Sequence, residues 1–330
     1  MQEAAGVFER SGSALRYRMA GPEDGPVVVL GAGRWLDHRM WDQQLPALWE
    51  AGYRTLTWDL PTPRPRGRRA FGRGRFARRV SARPPDAVPD VSVPVESVPI
   101  DQVRTYPAPV VKENLTVRGL AEALLELADR LRAHRQLALV GHSLGAEVAQ
   151  EAAFLRPERV AGLVVVAAGC LTLPRRPWPM SWTVPVHRWA NLAALAFASR
   201  SDAHIRHGAA RAAGVGAATQ THAYTAMERF DKSRLTQVWR AGVAAVHPEP
   251  DYRIDQPLLL VRGEYDRTSR LGRQARRWLD RDPRAEYEVV DRAGYLANLD
   301  NPQAFNRLLL EFLTARHPVP RTRWRRYRAG

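Results

Sequence analysis

The chain has 330 residues, a hydrophobic share of 45% and one cysteine, Cys170. No apolar run approaches the roughly 20 residues of a membrane span, and the N-terminus lacks the apolar core of a secretory signal. A single thiol cannot form an internal disulfide, so the sequence predicts a cytoplasmic protein.

The net charge of +16 invites a nucleic-acid interpretation. The charge is concentrated, however: nine arginines lie within 64–83 and six within 316–328, and the remainder of the chain is close to neutral. Aromatic residues interleave both stretches and could stack on bases. We interpret the two stretches as solvated basic flanks and expect no nucleic-acid partner, keeping nucleic-acid binding as a third hypothesis.

Apolar runs and periodic segments alternate along the chain. "GVFERSGSALRYRMAG" predicts two antiparallel edge strands, and "YRTLTWDLP" predicts a strand that ends at Asp59. Four nearly continuous apolar runs, "VVVL", "LALV", "GLVVVAA" and "PLLLV", suit strands that are covered on both faces. Between them, "NLTVRGLAEALLELADRLRAH" repeats apolar residues every three or four positions, as a helix does. The pattern predicts an α/β fold with a mostly parallel, doubly wound sheet.

Two segments interrupt this alternation. The first is rich in arginine and proline, which excludes a long helix or a central strand. The second carries aromatic residues and alanine-rich helical stretches, enough for a helical cap over the sheet. The predicted organisation is therefore a core of 1–61, 114–170 and 251–315, a disordered insertion at 62–113, a cap at 171–250 and a basic tail at 316–330.

One motif carries chemistry. Gly141-His142-Ser143-Leu144-Gly145 follows the G-x-S-x-G pattern between a predicted strand and a predicted helix. A sharp strand-to-helix turn projects the serine hydroxyl from the carboxyl end of the sheet, and the glycines leave room for the turn. The backbone N–H of Leu144, at the start of the helix, could stabilise an oxyanion.

With these features the chain resembles the α/β-hydrolase fold superfamily, in its capped form, in which the triad follows the order serine, acid, histidine. The resemblance implies that Ser143 is the nucleophile. It also implies that Asp266 of "RGEYD" is the acid, with Glu264 as the weaker alternative. The resemblance further implies that the second oxyanion donor is the N–H of Arg34, or that of Ala32 in another register.

The family's histidine position holds a tyrosine. "AGYLANLDNP" matches the family's surroundings of that residue, but Tyr295 occupies the place itself. A phenol has a reference pKa of about 10 and holds its proton at pH 7, so it is a poor base. Cap histidines are the possible substitutes, namely His187, His204, His207 and His222, whereas the side chain of His142 is expected to point away from the acid.

The predicted function is a serine-type hydrolase of a small apolar ester or amide, impaired by Tyr295 and requiring no cofactor or metal. The alternative is an inactive homologue or a ligand-binding protein on the same fold. The gibberellin receptor of plants is similar in this respect, because it keeps the serine, lacks the histidine and binds its ligand.

Overall fold

A computed structural model describes residues 2–10, 13–60, 115–133, 135–173, 202–228, 230, 232–249 and 251–320. The predicted insertion at 62–113, the end of the basic tail and His187 of the cap lie outside the described residues. Within the described part of the chain, no helix is both long and apolar enough to cross a membrane.

Eight strands form one sheet in the order β1-β2-β4-β3-β5-β6-β7-β8. The strands are β1 (Gln2–Arg10), β2 (Ser13–Gly21), β3 (Val27–Gly31), β4 (Arg54–Asp59), β5 (Leu137–His142), β6 (Val160–Val166), β7 (Leu258–Gly263) and β8 (Glu286–Val290). β1 and β2 pair antiparallel at one edge, β2 pairs antiparallel with β4, and all other pairs are parallel. The expected mostly parallel sheet with an antiparallel edge is confirmed.

The helices cover both faces of this sheet. They are α1 (Leu45–Glu50), α2 (Val117–Arg130), α3 (Leu144–Leu155), α4 (Asp202–Ala213), α5 (Ala217–Met227), α6 (Lys232–Ala244), α7 (Leu271–Arg281), α8 (Ala297–Asp300) and α9 (Pro302–Arg316), with short 3-10 turns at His38–Trp41 and Pro157–Arg159. Helices α4, α5 and α6, here called the cap helices, belong to the segment that interrupts the strand–helix alternation.

Burial explains why these segments take these forms. β5 is buried at every position and β6 at all but one, which is why their sequences read as continuous apolar runs. Helix α2 begins after Thr116, whose side chain accepts a hydrogen bond from the Gly119 N–H, and it buries its apolar stripe against the sheet. The opposite face is covered by α1 and α9, through side chains such as Leu48 and Phe305.

The topology also determines where a site can form. β4 lies on one side of β3 and β5 on the other, so the strand order reverses between β3 and β5. Crevices outside the carboxyl ends of strands at such a reversal are the usual ligand sites of open α/β sheets. The loop after β3 and the turn after β5 both meet at this point.

Candidate active site

Ser143 occupies a strained turn between β5 and α3. Its backbone has φ 50° and ψ −110°, a conformation that non-glycine residues rarely adopt, and its N–H donates to the Val166 carbonyl at 3.0 Å. Glycine is required at positions 141 and 145 because other backbone atoms come too close for a side chain. A Cβ on Gly145 would collide with the Gly31 carbonyl, and one on Gly141 would collide with the Ala146 N–H. The neighbouring strands therefore force the serine outward at the carboxyl end of the sheet.

The loop after β3 is joined to this turn. The Gly145 N–H donates to the Ala32 carbonyl at 3.0 Å, while the Ala32 N–H is itself directed to the Trp58 carbonyl at 3.4 Å. Ala32 is thus held by the sheet, which favours Arg34 over Ala32 as the second candidate oxyanion donor. Leu144 begins α3, where the first N–H groups have no acceptor within the helix. Both candidate donors belong to segments that border Ser143.

The side chain of Arg34 contacts the serine directly. Its Nε lies 3.3 Å from Ser143 Oγ, and its Nη2 forms a close ion pair with Glu147 Oε1. Only 2% of the Glu147 side chain is exposed, and its Oε2 has no hydrogen-bond partner among the described residues. Burial raises the pKa of Glu147, and Arg34 and Arg270 oppose that shift.

Sequence reasoning missed Glu147, although a signal was present. A charged residue in an alanine-rich helix four positions after the serine lies on the same helix face as that serine. The role of the Arg34 side chain had no comparable signal, since only its backbone position was anticipated.

Tyr295 lines the same cavity as Ser143. Its phenol is close enough to the Ser143 hydroxyl for that hydroxyl to lower the pKa of the phenol. Burial raises the pKa of Tyr295 to about 12, and the positive charge of Arg34 opposes the rise only in part. At neutral pH this phenol can donate a hydrogen bond to an oxygen but holds its proton firmly.

Asp266 follows β7 at the predicted position, but its carboxylate is engaged by its own turn. Oδ1 accepts from the N–H groups of Thr268 and Ser269 at 2.8 and 3.0 Å, and Oδ2 accepts from the Ser269 hydroxyl at short range. The loops of Asp266 and Tyr295 are adjacent, since the Tyr265 N–H donates to the Ala293 carbonyl at 2.8 Å. The alternative acid, Glu264, accepts instead from the Arg292 N–H at an exposed position.

His142 is the imidazole nearest the serine in sequence, and its ring lies against Tyr295. The ring packs edge-on against Tyr295 at a centroid distance of 4.5 Å, and Nε2 lies 2.9 Å from the Tyr295 carbonyl oxygen. Nε2 therefore carries the proton, whereas Nδ1 has no partner in the described structure and faces Gly33. Burial lowers the pKa of His142 to about 4, so the ring is neutral at pH 7.

The cap histidines that the structure describes lie outside the cavity wall. His204, His207 and His222 are described, and none of the three lines the cavity that opens over Ser143. His207 instead packs against Tyr224. Of the imidazoles in the described ranges, His142 alone lines that cavity.

Asp300 holds the Tyr295 loop to the cap helices. Its carboxylate accepts from the Gly294 N–H at 2.8 Å, and from the N–H groups of Val215 and Gly216, which connect α4 to α5, at 2.9 and 3.0 Å. The position of the phenol and the position of the cap are therefore coupled.

The cavity over Ser143 has a volume of about 750 Å³. One wall is apolar and comes largely from the cap helices, with side chains such as Ala223, Met227 and Val243. The wall formed by the start of α7 is polar and basic. The volume lies within the range of small-molecule sites, roughly 300–1,000 Å³.

Outside the Ser143 site, one cluster of described residues has the spacing of metal ligands. It consists of Asp37, His38 and Asp59. Arg39 pairs with Asp37 at 2.7 Å, and Asp59 Oδ2 binds both the N–H and the ring of His38 at 2.7 Å. Burial alone would lower the pKa of His38, but the Asp59 carboxylate outweighs it, so the net shift is upward. With a guanidinium inside the group, these residues fit an internal ion-pair network better than a cation site.

Comparisons with known proteins agree with the fold. The profile of the alpha/beta hydrolase family matches residues 27–308. A protein of Bacillus subtilis (strain 168), provisionally named as a 2-succinyl-6-hydroxy-2,4-cyclohexadiene-1-carboxylate synthase, is 26% identical over 225 residues, which cover 62% of this chain and 74% of that protein.

Solved structures are similar at lower identity. An esterase from Thermogutta terrifontis is 17% identical with a TM-score of 0.65, over 96% of this chain and all of that one. A carboxylesterase from Bacillus subtilis is 19% identical with a TM-score of 0.60, over 96% and 93% of the two chains. At this level of identity the structures support the fold alone. Because the profile match spans most of the sheet and the turn that carries Ser143, the chain belongs to the alpha/beta hydrolase family.

Proposed function

We propose that the protein is a serine-type hydrolase of a small ester- or amide-like substrate with an apolar body, and that Tyr295 limits its turnover. The observation that carries the proposal is the strained backbone of Ser143 beneath a cavity of about 750 Å³. Such strain persists only where the surrounding structure over-determines it, and it concentrates at functional sites.

The first half of the reaction follows from the placement of the groups. The Ser143 oxygen attacks the substrate carbonyl carbon, and the carbonyl electron pair moves onto oxygen. The N–H groups of Leu144 and Arg34 supply the oxyanion donors, and the guanidinium of Arg34 favours negative charge near the serine oxygen. The apolar cap wall receives the body of the substrate.

The Ser143 hydroxyl proton must leave as the oxygen attacks, and the site lacks an efficient acceptor for that proton. With the pKa of Tyr295 near 12, only about one phenol in 10⁵ is ionised at pH 7. Loss of the base from a serine triad costs on the order of 10⁶ in turnover, and roughly 10³–10⁴ over water remains from binding and oxyanion stabilisation. We therefore expect slow hydrolysis.

A ligand-binding protein is the second candidate, and a specific observation favours it. The carboxylate of Asp266 is satisfied by Ser269 and Thr268, so it is not directed at a catalytic base. A site without a base but with a formed cavity can hold a ligand and leave it intact.

The test is hydrolysis of p-nitrophenyl acetate and butyrate by the native chain, by Ser143→Ala and by Tyr295→His. Slow native turnover that Ser143→Ala abolishes supports the hydrolase, and a large gain in Tyr295→His identifies the missing base. No turnover in the native chain or in Tyr295→His would refute the proposal and favour the binding protein.

A further inference from the structure

Cap helix α6 contacts the side chain of Arg34 at a buried glycine. A Cβ built on Gly242 would collide with the Arg34 guanidinium, which supplies the three atoms nearest to that position. Arg34 Nη1 also donates to the carbonyl of Trp239, in the same helix, at a long 3.5 Å. The guanidinium therefore fills the space that the missing side chain leaves in α6.

The backbone of Gly242 does not require a glycine. Glycine within a helix is less stable than alanine, because it loses more conformational freedom on folding. Glycines near helix ends often adopt a left-handed conformation, but among the described glycines only Gly21 and Gly52 have a positive φ. The space needed by the guanidinium, rather than the backbone conformation, accounts for the glycine at position 242.

The other contacts of Arg34 connect this space to the nucleophile. Nη2 forms the close ion pair with the buried Glu147, and Nε lies 3.3 Å from Ser143 Oγ. A guanidinium keeps its charge at any ordinary pH, so in this position it stabilises the negative charge that develops as the serine oxygen loses its proton. Helix α6, helix α3 and the Ser143 turn thus share one guanidinium.

A methyl group at position 242 would compete with the guanidinium for the same space. The end of a long side chain moves more easily than a packed helix, so we expect Arg34 to be displaced. The cost then falls on its ion pair with Glu147 and on its contact with Ser143.

The same helix also forms part of the cavity wall, through side chains such as Trp239 and Val243. We propose that Gly242 is a positioning residue that seats the Arg34 guanidinium against Ser143, so that α6 assists the chemical step as well as lining the cavity. The inference rests on the proposed function in taking Ser143 as the nucleophile, but the seating of Arg34 does not depend on turnover.

The first measurement is hydrolysis of p-nitrophenyl butyrate by the full-length native chain, Gly242→Ala and Gly208→Ala, with Ser143→Ala as the background. Loss of a charge-assisted hydrogen bond predicts that Gly242→Ala lowers kcat by about tenfold. Its KM should stay within about threefold of the native value, whereas a glycine that only shaped the cavity would change KM. Gly208 is an exposed helical glycine of α4 with nothing within 4 Å of its Cβ position, so Gly208→Ala should keep both native constants.

The second measurement is thermal unfolding, which needs no turnover. Gly242→Ala should lower the Tm of the native chain by about 2 °C or more, because it disturbs a buried ion pair. In the Arg34→Leu/Glu147→Leu background it should instead raise the Tm by about 1–3 °C, since a leucine side chain ends before the atoms that Gly242 faces and the gain of alanine in a helix remains. Gly208→Ala should raise the Tm in both backgrounds.

The reversal of sign between backgrounds distinguishes seating of Arg34 from general crowding within the cap. An equal change of Tm in the two backgrounds would overturn the inference. So would a native kcat in Gly242→Ala, or a change in its KM alone.

The two proposals can fail separately. If the native chain hydrolyses no p-nitrophenyl ester but the effect of Gly242→Ala on Tm reverses between backgrounds, the hydrolase proposal fails and the seating of Arg34 stands. If the native chain hydrolyses p-nitrophenyl butyrate through Ser143 and Gly242→Ala does so equally well, only the inference about Gly242 fails.

Discussion

Arg34 Nε donates a hydrogen bond of 3.3 Å to Ser143 Oγ, so a guanidinium lies where the attacking oxygen must lose its proton. The same side chain is the close ion-pair partner of Glu147, which is almost completely buried. One loop residue therefore links the nucleophile to the buried carboxylate one turn along α3.

The Arg34–Glu147 pair should contribute to both stability and reactivity. Arg34→Leu leaves a buried carboxylate with only the more distant Arg270, and breaking a buried pair in this way costs about 3–5 kcal/mol. Arg34→Leu/Glu147→Leu removes both charges and should recover most of that loss in urea unfolding. A double variant no more stable than Arg34→Leu would contradict the pairing. Any residual esterase rate should fall in both the single and the double variant.

The pH dependence of hydrolysis identifies the proton acceptor. If the Tyr295 phenolate is the base, with the pKa near 12, its population rises tenfold per pH unit below that value. The logarithm of kcat/KM should then increase with a slope of about 1 from pH 7 to pH 10. Tyr295→Phe should remove this component and leave the hydroxide background. A plateau with a midpoint near 6.5 would instead indicate an imidazole base.

Ser269 should affect the hydrolysis rate only when residue 295 is a histidine. Its hydroxyl and N–H occupy the Asp266 carboxylate, which would otherwise orient an imidazole at position 295. We expect Ser269→Ala to leave the slow native hydrolysis unchanged but to raise kcat severalfold in the Tyr295→His background. The p-nitrophenyl butyrate assay measures both, and equal effects in the two backgrounds would show that Asp266 does not support the base.

The sequence was sufficient for the fold and for part of the site, for identifiable reasons. Strands covered on both faces have continuous apolar runs, and the G-x-S-x-G turn is local, so both β5 and Ser143 could be placed. The partnership of Arg34 with Glu147 spans 113 residues and depends on how a loop folds back over α3. The spacing of Arg270, Arg273 and Arg277 in the sequence predicts that they share one helix face. That this face lines the cavity is decided by tertiary packing, which the spacing does not reveal.

Gly145, in the turn that carries Ser143, is a position where the backbone leaves no room for a side chain. A Cβ on Gly145 would collide with the backbone of Gly31 in β3, which cannot move without disturbing the sheet. We expect Gly145→Ala to lose several kcal/mol of stability, about 3 or more, and all Ser143-dependent hydrolysis. Gly208→Ala is the matched control, because Gly208 is helical with nothing near its Cβ position, and it should gain about 0.5–1 kcal/mol. A similar loss in both variants would point to a nonspecific effect.

His142 should make stability depend on acid pH. Burial lowers its pKa to about 4 in the folded chain, below the 6.5 of an exposed imidazole, so the unfolded state binds a proton more tightly between these values. Its contribution is complete above pH 6.5 and is lost as the pH falls toward 4, by about 3 kcal/mol in total. The His142→Gln variant has no imidazole to protonate here, so it should not show this loss. The native chain loses stability between pH 7 and pH 4, so its advantage in unfolding free energy over the variant should shrink in that range. His204→Gln, at an exposed position of α4, should keep the native dependence. A His142→Gln variant whose pH profile parallels that of the native chain would show that the imidazole is not buried as described.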